Sequence, residues 1–160
     1  MKLKKLNLTI ILLLGFGILS SCLKNEICSP LLAEPQAEFF TLQENAGIID
    51  TIPASINFDS IYGLTLENQN LIKDALGLNT ISFPLNPAEI ETAFVVCAAG
   101  KKDTIRFFYE KQLLFQSVKC GVYYTYTITD IHFSTNLLKG LTLIKPEVDV
   151  NSTENIQMFY

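Results

Sequence analysis

From Gln36 onward, apolar side chains in this chain recur at every second position, a period that admits strands and excludes an architecture built on helices. Asp103-Thr104-Ile105-Arg106-Phe107-Phe108-Tyr109 places Ile105, Phe107 and Tyr109 on one face. Glu38 to Leu42, Ser60 to Leu66, Thr80 to Leu85, Leu141 to Ile144 and Ile156 to Tyr160 read as further strands, with Pro84 marking an edge or an end. Thr92 to Cys97 is too uniformly apolar to keep a wet face, so it predicts a strand covered on both sides. Gln112 to Val118 follows directly on Glu110-Lys111, which predicts a hairpin there. The longest strand runs from Val122 to Phe133. Val122, Tyr124, Tyr126 and Ile128 share one face, then Ile131 and Phe133 carry the apolar side. A bulge near Thr129-Asp130 accounts for that slip of phase. Asn68 to Leu76 is the one stretch with helical spacing, stopped by Gly77. About nine short strands with frequent turn signals predict an all-β chain, a single antiparallel β-sandwich of immunoglobulin-like or related type. An outer-membrane barrel is the rival, but its strands need about 9–11 residues each, and most here are shorter.

The first 21 residues stand apart from this pattern. Lys2, Lys4 and Lys5 precede an apolar run from Leu6 to Leu19, and Leu19-Ser20-Ser21-Cys22 closes it. Basic start, apolar core and small residues are the order of a secretory signal. A cysteine directly after the small pair is what a lipid-transferring processing system acts on. The apolar run has 14 residues, short of the roughly 20 that cross a hydrocarbon core as a helix. We therefore expect a lipoprotein signal peptide over 1–21, a lipid-anchored tether over 22–35 and a β-sandwich domain over 36–160. Cys22 is the expected lipidation site, and two acyl chains suffice for stable anchoring where one does not.

Processing of that kind removes three lysines and no acid. The 12 basic and 16 acidic residues become 9 and 16, a formal charge of −7. Such a balance argues against nucleic acid as a partner, since phosphate neutralisation needs clustered Lys and Arg. Electrostatic docking of the whole body on anionic lipid is disfavoured for the same reason. The lipid alone is expected to hold the protein to a membrane outside the cytoplasm, where disulfides form. Three single bridges among Cys28, Cys97 and Cys120 are open. Cys97 lies inside the apolar run Ala93 to Ala99, where a small thiol is an ordinary filling residue. Cys28 and Cys120 each adjoin turn formers, Ser29-Pro30 and Gly121, so Cys28–Cys120 is the favoured pair.

A set of short motifs occurs in a fixed order: the Leu-Ser-Ser-Cys box, Ile27-Cys28-Ser29, Ile81-Ser82-Phe83-Pro84-Leu85-Asn86-Pro87 and Asp103-Thr104-Ile105. It continues through the aromatic strand and hairpin, Lys119-Cys120-Gly121 and Asn155-Ile156-Gln157-Met158-Phe159-Tyr160. In that order the chain resembles the DUF6452 family of Bacteroidetes lipoproteins, whose function is uncharacterised. The resemblance implies a small envelope domain with a paired cysteine near each end, and it supplies neither an activity nor catalytic residues. Leu23-Lys24-Asn25-Glu26 resembles in part the lysine-plus-acid tether that sends some Bacteroidetes lipoproteins to the cell surface, with one acid in place of two. Outer-membrane anchoring, facing the periplasm or the surface, is the expected location.

Chemistry-bearing residues are sparse. His132 is the only histidine, which rules out a histidine-based zinc cluster, and the remaining thiols lack zinc-finger spacing. No phosphate-binding glycine loop, Cys-x-x-Cys pair or Gly-x-Ser-x-Gly elbow is present. We expect no metal and no cofactor. His132 with Asp130 or Ser134 has the residue types of a nucleophile–base pair but needs an oxyanion site as well. Glu89 and Glu91 read as loop residues. Glu147, Asp149 and Glu154 cluster late, without the spacing of a committed calcium loop. The stretch Glu147–Asn155 is also the one expected to lie outside the packed body.

Aromatic residues offer a clearer lead. Phe107, Phe108 and Tyr109 with Tyr123, Tyr124 and Tyr126 supply rings for both faces of a sheet, and half of them are expected in the core. Tyr123 and Phe108, both pointing outward, form the candidate binding surface. Asp50-Thr51-Ile52, Asp59-Ser60-Ile61 and Asp103-Thr104-Ile105 resemble the Asp-Ser/Thr-aliphatic acceptors of Bacteroidetes O-glycosylation, making Thr51, Ser60 and Thr104 candidate sites. The expected function is a non-enzymatic interaction or assembly module of the envelope, with an envelope protein or glycan as partner. A glycan- or peptide-binding lipoprotein is the second reading, and a hydrolase using Glu89, Glu91 and Asp130 the third.

Overall fold

A computed structural model describes residues 28–160 apart from 46, 65–69 and 152. The expected signal peptide, the Cys22 lipidation site and the start of the tether lie outside the described residues. Among those described, eleven strands form: β1 (Gln36–Asn45), β2 (Ile48–Pro53), β3 (Ile56–Gly63), β4 (Asn70–Leu78), β5 (Thr80–Ser82), β6 (Glu91–Ala98), β7 (Lys101–Ser117), β8 (Gly121–Phe133), β9 (Gly140–Leu143), β10 (Glu147–Val148) and β11 (Ile156–Phe159). They make two sheets. One has the order β2-β1-β11-β9 with β5 also on β1, and the other runs β10-β8-β7-β6-β3-β4. Neither sheet closes on itself, so the molecule is a β-sandwich and not a barrel. Every pair is antiparallel except β1 with β11, which run parallel from Ala37↔Ile156 to Phe40↔Phe159.

The inward faces interlock through aromatic rings. Phe83, Phe94 and Phe107 meet at centroid distances of 5.0, 5.3 and 5.9 Å. Phe39, Phe58 and Tyr160 form a second cluster, with Phe39 and Phe58 5.2 Å apart. Burying each such ring contributes about 1.5–3 kcal/mol. Alternation in β7 carries directly into burial: Ile105, Phe107 and Tyr109 are buried, while Arg106 and Phe108 are only half so. Strand β6 is buried from Thr92 to Ala98, as its uniform apolarity requires. Its Cys97 is a free, buried thiol. The slip expected in β8 is present. Phe108 pairs with Asp130 and Tyr109 with Ile128, leaving Thr129 as the bulged residue.

Four local expectations need correction. Residues 70–78 form strand β4, not part of a helix; they pair with β3, Ser60 opposite Lys73 and Ile61 opposite Ile72. Gly77 there stops no helix. It adopts φ +65° inside the strand, and its N–H donates to Asn57 Oδ1 at 2.8 Å. An edge ladder outweighed the weak helical spacing, as tertiary pairing commonly does for short segments. There is no hairpin at Glu110-Lys111 either: β7 runs through it unbroken, with Glu110 opposite Thr127 and Lys111 opposite Tyr126. That dipeptide has no residue suited to positive φ, and the turn instead falls at Val118–Cys120, followed by Gly121 at φ +78°. Glu91 opens β6 and is not a loop residue. Finally, the stretch Glu147–Asn155 is anchored into the body: Val148 is buried in β10 and Asn155 is fully buried, while Asn151 and Thr153 between them are exposed and residue 152 lies outside the described residues.

Asn155 ties together three segments that are distant in sequence. Its Oδ1 accepts from Gln36 N–H at 3.2 Å, and its Nδ2 donates to the carbonyls of Lys145 and Glu147 at 3.0 and 2.9 Å. Its backbone accepts from Ile144 and donates to Gln36 O. Removing the side chain strands buried partners, so Asn155→Ala is expected to destabilise the fold by about 2–3 kcal/mol. Urea denaturation reads this directly. A loss well under about 1 kcal/mol would mean that water replaces the amide.

Candidate functional site

Strands β7 and β8 are far longer than their neighbours. Strand β6 pairs with β7 only from Lys101 to Phe108, and β10 meets β8 only at Tyr126 and Thr127. Beyond Lys111 and Tyr126 the two strands pair, among the described residues, only with each other, forming an arm roughly 20 Å long at about 3.4 Å per residue. A two-stranded ribbon is marginally stable unaided. Here it is braced. Cys120 in its turn is disulfide-bonded to Cys28, with the Cα atoms 5.3 Å apart. The expected bridge is thus formed, at a sequence separation of 92. From Cys28 the chain passes as a strap to β1, burying Ala33 and Pro35. The stretch from Cys28 to Pro35, within the expected tether, is therefore packed against the body.

Between strap, arm and the Pro84–Pro87 loop lies a groove of ≈ 440 Å³. The strap contributes Pro30, Leu31 and Leu32, the loop Pro84, Leu85 and Pro87, and the arm Val122, Tyr123, Tyr124 and Tyr126. Among the described residues, Glu34 is the one carboxylate in its wall. Tyr126 is buried at the arm's base, edge-on to Tyr109 at 5.3 Å. Burial, with Tyr109, Tyr124 and Glu34 nearby, pushes the Tyr126 hydroxyl up to about 12, so it remains neutral at ordinary pH. Beneath it, Tyr109 OH donates to Asn86 O at 2.8 Å and lies 2.7 Å from Thr92 Oγ1. Asn86 N–H in turn donates to Thr92 Oγ1 at 2.9 Å. This network fixes the Pro84–Pro87 loop, and Lys111 Nζ, donating to Pro87 O at 2.6 Å, secures its far end. The wall is thus rigid, apolar and ringed, with few charges: suited to binding and poorly equipped for proton transfer.

The residues singled out from sequence are dispersed. Tyr123 reaches the groove, but Phe108 lies six residues nearer the body on β7 and packs edge-on against His132 at 5.0 Å. Tyr123 pairs with Leu114, so roughly 20 Å of strand separates it from Phe108 and the two do not form one surface. Three of the six rings, Phe107, Tyr109 and Tyr126, are buried.

Of the carboxylates of the hydrolase reading, Glu91 and Asp130 face away from the groove, and Glu89 is exposed in the loop that precedes β6. Glu91 and Asp130 lie in one row on either side of Phe108, two strand spacings or roughly 10 Å apart. Glu91 pairs with Arg106, and Asp130 with His132 at 2.9 Å. Ser134, the possible nucleophile beside His132, donates its hydroxyl to Asp103 at 2.6 Å instead. Of the triplet hydroxyls, Thr51 is exposed on edge strand β2, whereas Ser60 and Thr104 are half-buried in inner strands. Asp149 accepts from Asn151 N–H at 2.7 Å, and Glu154 from Gln157 at 2.8 Å.

Asp103 is the residue whose importance the sequence hid. It is buried, and its carboxylate accepts from Ser134 Oγ, from the N–H groups of Asn136, Leu137 and Leu138 at 2.6–2.8 Å, and from Asn136 Nδ2 at 3.1 Å. Burial would raise its pKa, but the bonds from Ser134, Leu138, Asn136 and Leu137 together outweigh that and hold it below the usual carboxylate value. It organises the β8–β9 connection and is remote from the groove lining. A polar residue before an alternating strand gives no local sign of such a role.

No curated protein and no solved structure matches the chain. A family model does, over residues 60–160, a stretch that carries the arm, Cys120 and the Pro84–Pro87 loop but begins after Cys28 and the strap. That match covers more than half of the sequence, and the chain therefore belongs to DUF6452, a family of unknown function.

Proposed function

We propose that this chain is a lipid-anchored envelope protein that acts by binding, with the groove under the β7–β8 arm as the site and an extended, proline-containing segment of an envelope polypeptide as the partner. The lining of the groove carries this reading. Aromatic-walled grooves suit extended polyproline-type segments, because such segments are already stiff and lose little entropy on docking. A sugar would need several convergent polar groups, and this wall offers Glu34, Ser29, Gln116 and tyrosine hydroxyls among mostly apolar surface. Glu91, ion-paired with Arg106, and Asp130, hydrogen-bonded to His132, both point outward, which favours binding over hydrolysis. Anchoring at Cys22, six residues before Cys28, would keep the groove close to a membrane.

The chain has six tyrosines and no tryptophan, and Tyr123, Tyr124 and Tyr126 line the groove, so tyrosine emission responds to its occupancy. Titrating the full chain in detergent with proline-containing decapeptides is expected to give a saturable change. Tyr124→Ala, at a half-buried position on the arm, is expected to weaken it at least about tenfold, or about 1.4 kcal/mol. Saturation by cell-wall sugar fragments, with no response to any peptide, would replace this partner with a glycan.

A further inference from the structure

The tip of the arm carries apolar side chains on both faces, interspersed with Gln112, Gln116, Ser117 and Lys119. Leu113 and Phe115 stand on one face opposite Tyr124 and Val122, and Leu114 stands opposite Tyr123 on the other. Phe115 is 67% exposed and Val118, in the turn, 96%. Leu113 and Val122 are also exposed, as is Leu32 on the strap. From Lys111 to Thr129 there are two lysines and no carboxylate, in a body that is otherwise acidic. Side chains of this kind at the end of a projecting ribbon gain free energy by leaving water.

We infer that the tip of the β7–β8 arm docks into the bilayer that holds the anchor, with Phe115 and Val118 reaching the acyl boundary and Tyr123 and Tyr124 at headgroup level. This rests on the proposed acylation of Cys22. Five residues lie between Cys22 and Cys28, a reach of at most roughly 20 Å. Cys28 is bonded to Cys120, two residues from Val118 in the same turn, which keeps the tip within roughly 30 Å of the membrane whatever the orientation of the sandwich. Tyrosines are favoured at the interface because one end of the ring is apolar and the other hydrogen-bonds. The absence of carboxylates in the arm removes the repulsion that the rest of the body would meet at an anionic surface. The groove, whose wall includes Leu32 and Val122, would then open beside the headgroups.

The lack of tryptophan makes the test direct, since one introduced indole is the sole such fluorophore. Val118→Trp is placed in the full, processed chain reconstituted in vesicles of phosphatidylethanolamine and phosphatidylglycerol, with brominated acyl chains as quenchers. Leu76→Trp serves as the distant control. Leu76 is 80% exposed and lies next to Ala75, which pairs with Phe58 at the end of the sheet where Gly100 N–H meets Asp59. Quenching at position 118 is expected to exceed that at 76 at least threefold, and Leu113→Asp with Phe115→Asp is expected to halve it. Equal quenching at the two positions in a chain shown by intact mass to be acylated overturns the docking and leaves the anchor standing. Quenching that survives the aspartates also overturns it, because the indole would then be inserting unaided. A chain with no acyl mass at Cys22 overturns the anchor and the inference built on it.

Discussion

Replacing Asp103 with alanine is expected to cost about 5 kcal/mol, enough to unfold much of a domain whose total stability is of order 5–15 kcal/mol. Five donors converge on this carboxylate, three of them backbone N–H groups of residues 136–138. Hydrogen bonds to an ionised group contribute about 1.5–3 kcal/mol each, and buried donors left without an acceptor add the cost of their desolvation. Asp103→Asn keeps the shape but turns an amide N–H toward other donors, so it should lose somewhat less. The pH dependence has a definite sign. Because the folded pKa lies below the ordinary 3.8, the stabilisation is fully present above that value. It disappears as pH falls further, through the folded pKa. Urea midpoints of the natural chain should therefore drop steeply below about pH 3.8, and that drop should be shallower in Asp103→Asn. Parallel acid profiles for the two proteins would show that this carboxylate is not the group responsible.

Replacing both Cys28 and Cys120 with serine should lower stability by about 4–5 kcal/mol in the chain-entropy model, given a closed loop spanning 92 positions. Using serine at both sites avoids a new pairing with Cys97, which is buried in β6. The loss should be uneven across the molecule. Among the described residues no third strand lies beside 112–125, so amide exchange there should speed up at least tenfold more than in β6. The strap should open with the arm, widening the groove and abolishing peptide-induced tyrosine changes. Arm amides as well protected as in the bridged protein would show that strand pairing sustains the arm alone.

Much of the fold was readable from residues. Ile105, Phe107 and Tyr109 in β7, the Thr129 slip in β8 and the doubly covered β6 all follow from side-chain alternation, which is a property of the local backbone. The Cys28–Cys120 bridge was legible from the turn formers beside each cysteine. Other elements were not. Strand β2 is exposed throughout and carries no burial signal, and β4 takes its conformation from pairing with β3. The continuity of β7 across Glu110-Lys111 depends on a partner strand a full hairpin away. The candidate surface of Tyr123 with Phe108 failed because counting along one strand does not show which positions of the next strand come alongside.

Local periodicity and turn chemistry were thus enough to specify an all-β sandwich, its bulge and its disulfide, because alternation and backbone preference act over a few neighbouring residues. The groove, the projecting arm and the buried Asp103 and Asn155 junctions arose from packing, since each joins segments tens of residues apart. Their energies depend on distances and shielding from water that are set when the two sheets close on each other.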